Sequence, residues 1–170
     1  MEFQLQKSLL RPWCIGDEPS LEHHANNRKI WINVRDHFPH PYMRGDAIRW
    51  VQHASLNLSQ TVFAIVVDGN AVGGIGLVPQ NDVYRKSMEI GYWLGEEFWG
   101  KGIITEAVGV ISNYGFDQFD IVRLYANVFE WNKASVRVLE KNGYEFEAQL
   151  RKAVIKDGKI SDALVYAKIK

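Results

Sequence analysis

The segment from Gly95 to Glu106 has the residue types and the spacing of an anion-binding loop. It reads Gly-Glu-Glu-Phe-Trp-Gly-Lys-Gly-Ile-Ile-Thr-Glu and lies between an apolar strand pattern and an apolar helix pattern. Glycines let the backbone approach a ligand, and the first N–H groups of a helix, which lack partners within that helix, favour an anion. The segment therefore predicts a phosphate site at the N-terminus of a helix that begins near Gly102.

Two nucleotide-binding motifs match this segment in part. The pattern Gly-x-x-x-x-Gly-Lys, ending at Lys101, is close to a P-loop, but Gly102 stands where that loop needs Ser or Thr to hold Mg²⁺. The pattern Gly-x-Gly, ending at Gly102, begins a dinucleotide fingerprint, and Asp120 lies at about the right spacing for a ribose contact. Thr105 occupies the third glycine position of that fingerprint. The residues of the segment alone leave both interpretations open.

A third pattern extends far beyond the segment. Residues 99–104, Trp-Gly-Lys-Gly-Ile-Ile, keep the central Gly102 of the CoA pyrophosphate-loop pattern Arg/Gln-x-x-Gly-x-Gly/Ala and depart from it at Trp99 and Ile104. Further matches lie at Leu10–Trp13, Ala25–Asn27, Glu89–Leu94, Gly100–Ala107 and Asn132–Tyr144. On these residues, which cover nearly the whole chain in the right order, the sequence resembles the GCN5-related N-acetyltransferases (GNAT superfamily) and their RimJ/RimL-like branch.

The resemblance implies an α/β (α+β) fold, the GNAT fold, with a mixed central sheet flanked by helices and splayed strands that form the acetyl-CoA cleft. It implies a single N-acetyltransferase domain over residues 1–170. It also implies acetyl-CoA as co-substrate, no metal, and transfer of an acetyl group to a primary amine by direct attack in a ternary complex. The element order that the residues predict on their own is also the order that this fold uses.

The resemblance also assigns residues to the cofactor. Backbone N–H groups from Gly100 to Thr105 would hold the pyrophosphate, aided by the Thr105 hydroxyl and the charge of Lys101. The strand would splay from its neighbour after Leu94, whose backbone N–H would stabilise the oxyanion. The implied cofactor set is Tyr92, Trp93, Leu94, Trp99, Gly100, Lys101, Gly102, Ile103, Ile104, Thr105, Asn132 and Ser135. Because neighbouring strand residues face opposite sides, one of the two aromatic side chains is expected to be ordinary core.

The proton donor and the general base are sought in the same resemblance. In many relatives a tyrosine seven residues after Asn132 protonates the thiolate, but that position is Leu139 here, which has no proton to donate. Ser135 is the nearest hydroxyl on the same helix and is taken as the acid, with water as the competitor. Asn132 also suits a helix N-cap. Glu89 is taken either as the base or as the partner in a strand-edge salt bridge.

The acceptor side is expected in a loop that contains two prolines. His37, His40 and Tyr42 lie in this loop and would border the amine. Two histidines three residues apart suggest a metal, but no third ligand cluster accompanies them and the family needs none. A protein α-amine, with a pKa of ~8 against ~10.4 for lysine, needs only a weak base. A protein N-terminus is therefore compatible with these residues, while polyamines, amino acids or an antibiotic remain open as acceptors.

Composition narrows the range of partners. The 170 residues carry 20 basic and 20 acidic side chains, a net charge of zero that argues against nucleic acid as the main partner. Cys14 is the single cysteine and cannot form an internal disulfide. The first residues lack an apolar signal region, and the longest apolar run is Val62–Val67, so no membrane partner and a cytoplasmic location are expected. Monomer and homodimer stay open, and a CoA-binding sensor without catalysis is the alternative to an enzyme.

Local patterns predict the individual elements. The predicted helices run from Asp17 or Ser20 to about Asn27, over Arg28–Val34, from a cap at Asp46 with Ile48, Val51 and Ala54 on its apolar face, from Ile103 to about Phe119, and from Asn132 to about Lys141. The predicted strands are Ser8–Pro12, Thr61–Val67, Ala71–Val78, Ser87–Leu94, Arg123–Phe129, Glu145–Ile155 and Ile160–Ile169. Turns are predicted at Asp68-Gly69-Asn70 and Asp157-Gly158, and a left-handed helix end at Asn142-Gly143.

Overall fold

The computed structural model describes residues 1–57 and 59–170. The described strands are β1 (Phe3–Gln4), β2 (Leu9–Arg11), β3 (Val62–Val67), β4 (Asn70–Pro79), β5 (Ser87–Leu94), β6 (Arg123–Phe129), β7 (Glu145–Lys156) and β8 (Lys159–Ile169). The α-helices are α1 (Glu18–Ala25), α2 (Arg28–Trp31), α3 (Arg44–Ser55), α4 (Ile103–Gln118) and α5 (Lys133–Lys141). Short 3₁₀ helices lie at Asp82–Tyr84 and Glu96–Phe98. Among these described residues, no helix has the length and apolar character that a membrane span requires.

The strands form a mixed, mostly antiparallel sheet in the order β1-β2-β3-β4-β5-β6-β8-β7. Strands β5 and β6 run parallel, whereas β6 pairs with β8, and β8 with β7, in antiparallel fashion. The mixed sheet and the final hairpin of β7 and β8 were both predicted from the sequence and are confirmed. Strand β1 was missed, because two residues are too few to show a strand period.

The chain divides into two compact units that alternate along the sequence. The first comprises Met1–Gly76 and Tyr92–Ala107. Its core gathers side chains from α1, α3, β3 and β4, including Leu21, Val51 and Ala64, around the fully buried Trp13. The apolar spacing predicted for α3 is confirmed at Val51 and Ala54, which are buried, but Ile48 is exposed.

The second unit comprises Leu77–Gly91 and Val108–Lys170. Leu124 of β6, Ile111 of α4 and Leu139 of α5 are completely buried in it. The hydroxyls of Ser112 and Tyr144 form a buried hydrogen bond of 2.8 Å. Burial of the Tyr144 phenol raises its pKa to about 12, although the hydrogen bond with Ser112 opposes the shift. This pair satisfies two polar groups that would otherwise be costly to bury in an apolar core.

The two predicted turns and the predicted end of α5 are confirmed, except that Asn70 is not part of its turn. In the β3–β4 hairpin, Asp68 and Gly69 have φ values of 49° and 80°, whereas Asn70 already belongs to β4. Asp157 and Gly158 likewise both have positive φ, as a two-residue turn between β7 and β8 requires. Gly143, at φ 76°, donates its N–H to the carbonyl of Glu140 and ends α5 in the left-handed conformation that was predicted.

The prediction that Asp46 caps the third helix is wrong. Helix α3 begins at Arg44, and the N-cap residue is Met43. The carboxylate of Asp46 reaches back and accepts the backbone N–H of Met43 at 2.8 Å. Asp46 therefore satisfies a free donor from the third helical position instead of the cap position, which is why its residue type marked the helix start three residues late. Helix α2 is also shorter than predicted and ends at Trp31.

Asp17 occupies the N-cap position of α1 but does not cap the helix with its side chain. Its carboxylate forms a two-pronged pair with the guanidinium of Arg11, at 2.7 and 2.8 Å, and accepts the backbone N–H of Cys14 at 3.0 Å. Desolvation acts to raise the pKa of Asp17, but the hydrogen bonds from Arg11 and Cys14 outweigh it and hold that pKa below the ordinary value. Asp17 thus joins β2 to the start of α1.

We expect Asp17→Asn to lower the free energy of unfolding at pH 7 by about 2–3 kcal/mol, because it leaves the half-buried guanidinium of Arg11 without its counter-charge. The depressed pKa means that the carboxylate stabilises the folded state above its unfolded pKa of about 3.9 and that this stability is lost as the pH falls through the folded pKa. Urea unfolding of both proteins from pH 7 to acid measures the difference. A gap that does not shrink in acid would contradict this assignment.

Candidate functional site

The glycine loop, residues Gly100–Gly102, leads into α4 in the conformation that an anion site needs. Gly100 and Gly102 have φ values of 72° and 84°, which residues other than glycine rarely adopt. Space is open at both positions, since a Cβ atom built there would meet nothing within 4 Å. Helix α4 starts at Ile103, and the carbonyl of Gly102 accepts the N–H of Glu106 at 3.1 Å. The helix start predicted near Gly102 is confirmed.

The turn between β1 and β2 lies against this loop, which the sequence did not suggest. The ammonium of Lys7 donates to the carbonyl of Lys101 at 3.0 Å, and the backbone N–H of Gln6 donates to the carboxylate of Glu106 at 3.0 Å. In a trans peptide the C=O and the following N–H point in opposite directions. Lys7 therefore holds the peptide between Lys101 and Gly102 so that the N–H of Gly102 points away from the Lys7 ammonium.

The charge of Lys101 itself is partly engaged nearby. Its ammonium lies over the ring of Phe98, 5.1 Å from the ring centroid, in a cation–π contact. The side chain of Lys101 is exposed, and Ile103, two residues further on, is buried. Thr105, whose hydroxyl was predicted to assist the loop, is half-buried in the first turn of α4. Lys7 and Lys101 thus bring two positive charges to the loop, whereas the sequence predicted only that of Lys101.

The end of β5 presents the backbone of Leu94 at one edge of the strand. The N–H of Gly95 donates to the carbonyl of Val72 in β4 at 2.7 Å, and the carbonyl of Trp93 packs against Gly73, 2.6 Å from where a Cβ would lie. Alternate residues of a strand direct their backbone groups to opposite edges. Since Trp93 and Gly95 face β4, the N–H of the buried Leu94 points to the other edge.

Trp99 fixes this strand end from the loop side. Its indole N–H donates to the carbonyl of Leu94 at 2.7 Å. Trp93, by contrast, packs with the core of the first unit, edge to face with Phe38 at 5.5 Å and with its indole beside Gly74. Tyr92 is half-buried. Trp99, which departs from the Arg/Gln of the motif, therefore has a contact of its own, and Trp93 is the aromatic residue of the pair that packs on the core.

The two asparagines after α1 have structural contacts. Asn26 accepts the backbone N–H of Tyr42 at 3.0 Å, and Asn27 accepts the N–H of Lys29 at 2.8 Å as the N-cap of α2. The amide of Asn27 also donates to Glu96 at 2.8 Å, and Lys29 forms an ion pair with the same carboxylate. Hydrogen bonds from Lys29 and Asn27 lower the pKa of Glu96. These contacts hold the 3₁₀ helix that leads into the glycine loop.

The three predicted acceptor residues differ in exposure. Tyr42 is 4% exposed in the core of the first unit, and burial raises the pKa of its phenol. His37 and His40 are exposed. The imidazole of His40 stacks on the indole of Trp31, with ring centroids 5.6 Å apart. Of the three predicted acceptor residues, His37 and His40 therefore present their side chains to solvent, whereas Tyr42 does not.

The remaining predicted residues belong to the second unit. Asn132 is the N-cap of α5, as predicted, and its side chain accepts the backbone N–H of Ser135 at 3.1 Å. Ser135 is half-buried in the first turn, and Leu139, at the position of the missing tyrosine, is completely buried. The capping hydrogen bond involves only the backbone N–H of Ser135, so the Ser135 hydroxyl is not needed for it.

Glu89 lies where the parallel ladder of β5 and β6 ends. The register pairs Ser87–Glu89 with Arg123–Tyr125, although β5 continues to Leu94 and β6 to Phe129. The hydrogen-bonded pairing of β5 with β6 thus stops at Glu89. The two strands were predicted to separate later, after Leu94. The amide of Asn127 donates to the carboxylate of Glu89 at 3.1 Å and bridges the two strands beyond the ladder. Glu89 itself is half-buried.

A family model described as the acetyltransferase (GNAT) domain matches residues 7–145. The chain therefore belongs to the GNAT acetyltransferase family, as the resemblance predicted. The Bacillus subtilis protein described as "putative ribosomal N-acetyltransferase YdaF" is 34% identical over 119 residues, which cover 70% of this chain and 63% of that protein. The spermidine N(1)-acetyltransferase of Escherichia coli K12 is 28% identical over 106 residues, covering 62% of this chain and 56% of that enzyme.

A solved structure shares the fold over almost the full length. RimL, described as a ribosomal L7/L12 α-N-protein acetyltransferase in complex with coenzyme A, superposes with a TM-score of 0.82 at 22% identity, covering 97% of this chain and 95% of that one. At this identity the likeness shows the fold alone, and it confirms the predicted GNAT fold. Alignments with the first curated relatives span about half to two thirds of their length, from 49% to 63%.

Proposed function

We propose that this protein is an acetyl-CoA-dependent N-acetyltransferase that transfers the acetyl group to a primary amine by direct attack in a ternary complex. The observation that carries the proposal is the end of β5. There the backbone N–H of Leu94 points away from β4, while Trp99 binds the Leu94 carbonyl from the segment that opens the glycine loop. An oxyanion donor and a phosphate loop on one short stretch of chain are what a thioester of CoA requires.

The glycine loop would hold the pyrophosphate. Backbone N–H groups from Gly100 to Thr105 supply donors at the positive end of α4, and positive φ at Gly102 lets the chain pass close to the phosphates. Lys101 and Lys7 add charge beside it. A few backbone donors and two lysines can meet the charge of CoA, which is why a chain of zero net charge needs no general basic excess.

Acetyl transfer then needs the carbonyl polarised, the amine neutral and the thiolate protonated. The Leu94 N–H would take the developing negative charge on the thioester oxygen as the amine nitrogen attacks. We assign the proton that restores the CoA thiol to Ser135, with water as the competing donor. Glu89 is the proposed base that accepts the amine proton, directly or through water. An α-amine, with a pKa of about 8, makes the smallest demand on such a base.

The acceptor class is a primary amine presented either by a protein N-terminus or by a polyamine. A relative described as ribosomal and another that acts on spermidine support these two choices. His37, His40 and Tyr42 are the residues proposed to border the amine. A single domain over residues 1–170, a cytoplasmic location and the absence of a nucleic-acid partner remain predictions of the sequence, and monomer and homodimer are both compatible with them.

Calorimetric titration and a thiol-release assay test the proposal together. The protein is titrated with acetyl-CoA, CoA and ATP, and acetyl transfer is followed as free CoA thiol with three amines. These are a lysine-free peptide with a free N-terminus, a lysine-containing peptide whose N-terminus is acetylated, and spermidine. We expect CoA to bind and at least one amine to release thiol. Binding of ATP without CoA would favour a P-loop protein, and tight CoA binding without thiol release from any amine would favour a sensor.

We expect Lys7→Gln to raise the KM for acetyl-CoA about fivefold and to leave kcat unchanged. The reason is the loss of a charge and of a hydrogen bond that orients the Lys101–Gly102 peptide, a contribution of about 1 kcal/mol. Lys7→Arg should restore most of the affinity, because it keeps the charge. Lys159→Gln in β8 removes the same charge elsewhere and serves as the control. Equal KM values for Lys7→Gln and the wild type would show that Lys7 is only a surface contact.

A further inference from the structure

Two imidazoles and a carboxylate meet on the first unit, apart from the residues proposed for acetyl transfer. His23 and His24 lie near the end of α1, and Glu97 lies in the 3₁₀ helix before the glycine loop. One potential ligand atom from each residue lies within 4.8 Å of the others, a grouping found in the described ranges 1–57 and 59–170. The fold therefore joins a histidine pair to a carboxylate more than 70 positions away in the sequence.

The donor set defines the kind of ion. Two imidazole nitrogens and one carboxylate oxygen suit Zn²⁺ and similar transition ions, whereas Ca²⁺ and Mg²⁺ prefer oxygen donors throughout. A tetrahedral ion with ligands at ~2.0–2.1 Å separates its ligand atoms by roughly 3.3 Å. The Nε2 atom of His23 and an Oε1 atom of Glu97 are 3.6 Å apart, close to that separation. A fourth position would be left for water.

Two of the three proposed ligands are open to solvent, and the third is held by its neighbours. The side chains of His23 and Glu97 are 70% and 69% exposed, so an ion can reach both from solvent. The ring of His24 is held in place, edge to face with Phe98 at 5.5 Å. Its Nδ1 atom also lies against Gly95, where a Cβ would be only 2.9 Å away, so glycine at this position leaves room for the imidazole.

The two elements that carry the ligands are already joined beside the cluster. Glu96, next to Glu97, accepts a hydrogen bond from Asn27 and pairs with Lys29. These contacts place the 3₁₀ helix against the segment that follows α1. An ion would thus enter a prearranged gap, which reduces the ordering cost of binding.

We propose that His23, His24 and Glu97 bind one divalent transition ion of the Zn²⁺ class, which ties α1 to the segment that leads into the glycine loop. The ion takes no part in acetyl transfer. Its binding is a property of this surface and stands whether or not the protein proves to be an acetyltransferase.

Zn²⁺ alone, titrated calorimetrically into chelator-treated protein at neutral pH, tests the site. We expect one equivalent to bind and to raise the melting temperature, since an ion that binds only the folded state stabilises it. His23→Gln and Glu97→Gln should each weaken binding by about tenfold or more and abolish the thermal shift. Both side chains are exposed, so the apo variants should melt like the wild type. Co²⁺, followed by its visible absorption, reports the coordination directly.

The double variant His37→Gln/His40→Gln is the matched control, because it removes two exposed histidines and leaves the proposed ligands intact. We expect its Zn²⁺ affinity to equal that of the wild type. The proposal is overturned by the absence of saturable binding, by several weak equivalents, or by affinity that survives both His23→Gln and Glu97→Gln.

Discussion

Gly102→Val should raise the KM for acetyl-CoA about 100-fold in a protein that still folds. Valine has no neighbour to collide with in the free protein, since a Cβ at this position meets nothing within 4 Å. The affinity for acetyl-CoA falls instead because the valine side chain would keep the phosphates away from the N–H groups of the loop. In addition, valine disfavours the φ of 84° that Gly102 adopts. Two lost charge-assisted hydrogen bonds correspond to about 3 kcal/mol, or roughly 100-fold.

Gly69→Val provides a control with the same backbone strain. Gly69 has φ of 80°, and a Cβ there likewise meets nothing within 4 Å, but it belongs to the β3–β4 hairpin turn. Both variants should lose comparable stability, of the order of 1–2 kcal/mol, in urea unfolding. Only Gly102→Val should change the KM and the calorimetric affinity for CoA. If both variants keep the wild-type KM, the pyrophosphate does not bind at this loop.

Ser135→Ala should lower kcat about 100-fold while leaving the affinity for CoA nearly unchanged. This pattern is expected when a proton donor that acts mainly in the transition state is removed. The helix start should survive the change, because the side chain of Asn132 accepts the backbone N–H of Ser135, which alanine retains. Steady-state kinetics with the best amine of the panel, together with CoA titration, separates the two effects.

Asn132→Ala is the complementary variant. It removes the cap of α5 and should cost about 1 kcal/mol of stability, with a smaller effect on kcat than Ser135→Ala. Reversal of that order would assign the proton transfer elsewhere. A wild-type kcat for Ser135→Ala would give the role to water, because Leu139 at the usual tyrosine position has no proton to offer.

The sequence predicted best those elements whose pattern is long and regular. The bounds of β5 and β6 agree residue for residue, and the start of α4 and the cap of α5 lie where the glycines and Asn132 indicated. Apolar periodicity and capping chemistry are local, so they can be read without knowing the fold. The glycine loop before α4 was recognised for the same reason, and phosphate binding there stays a prediction.

Contacts between distant residues could not be predicted in this way. Lys7 and Lys101 are 94 positions apart, and no pattern in either segment points to the other. Trp99 was assigned to the cofactor set as a departure from the motif, but its hydrogen bond to the carbonyl of Leu94 was not predicted, because it depends on how the chain turns between them. Asp17 has the residue type of a cap, yet Arg11 binds its carboxylate, since a charged partner competes with the helix backbone.

The position of Cys14 affects how the enzyme assay can be run. Partial desolvation of its thiol and the negative charge of Asp17 raise the pKa of Cys14, so little thiolate is present at neutral pH. A disulfide reagent that reports released CoA should therefore meet a slow background of at most one equivalent per chain. The same side chain is exposed and is the sole cysteine, so at higher pH it offers a single attachment point for a fluorophore between β2 and α1.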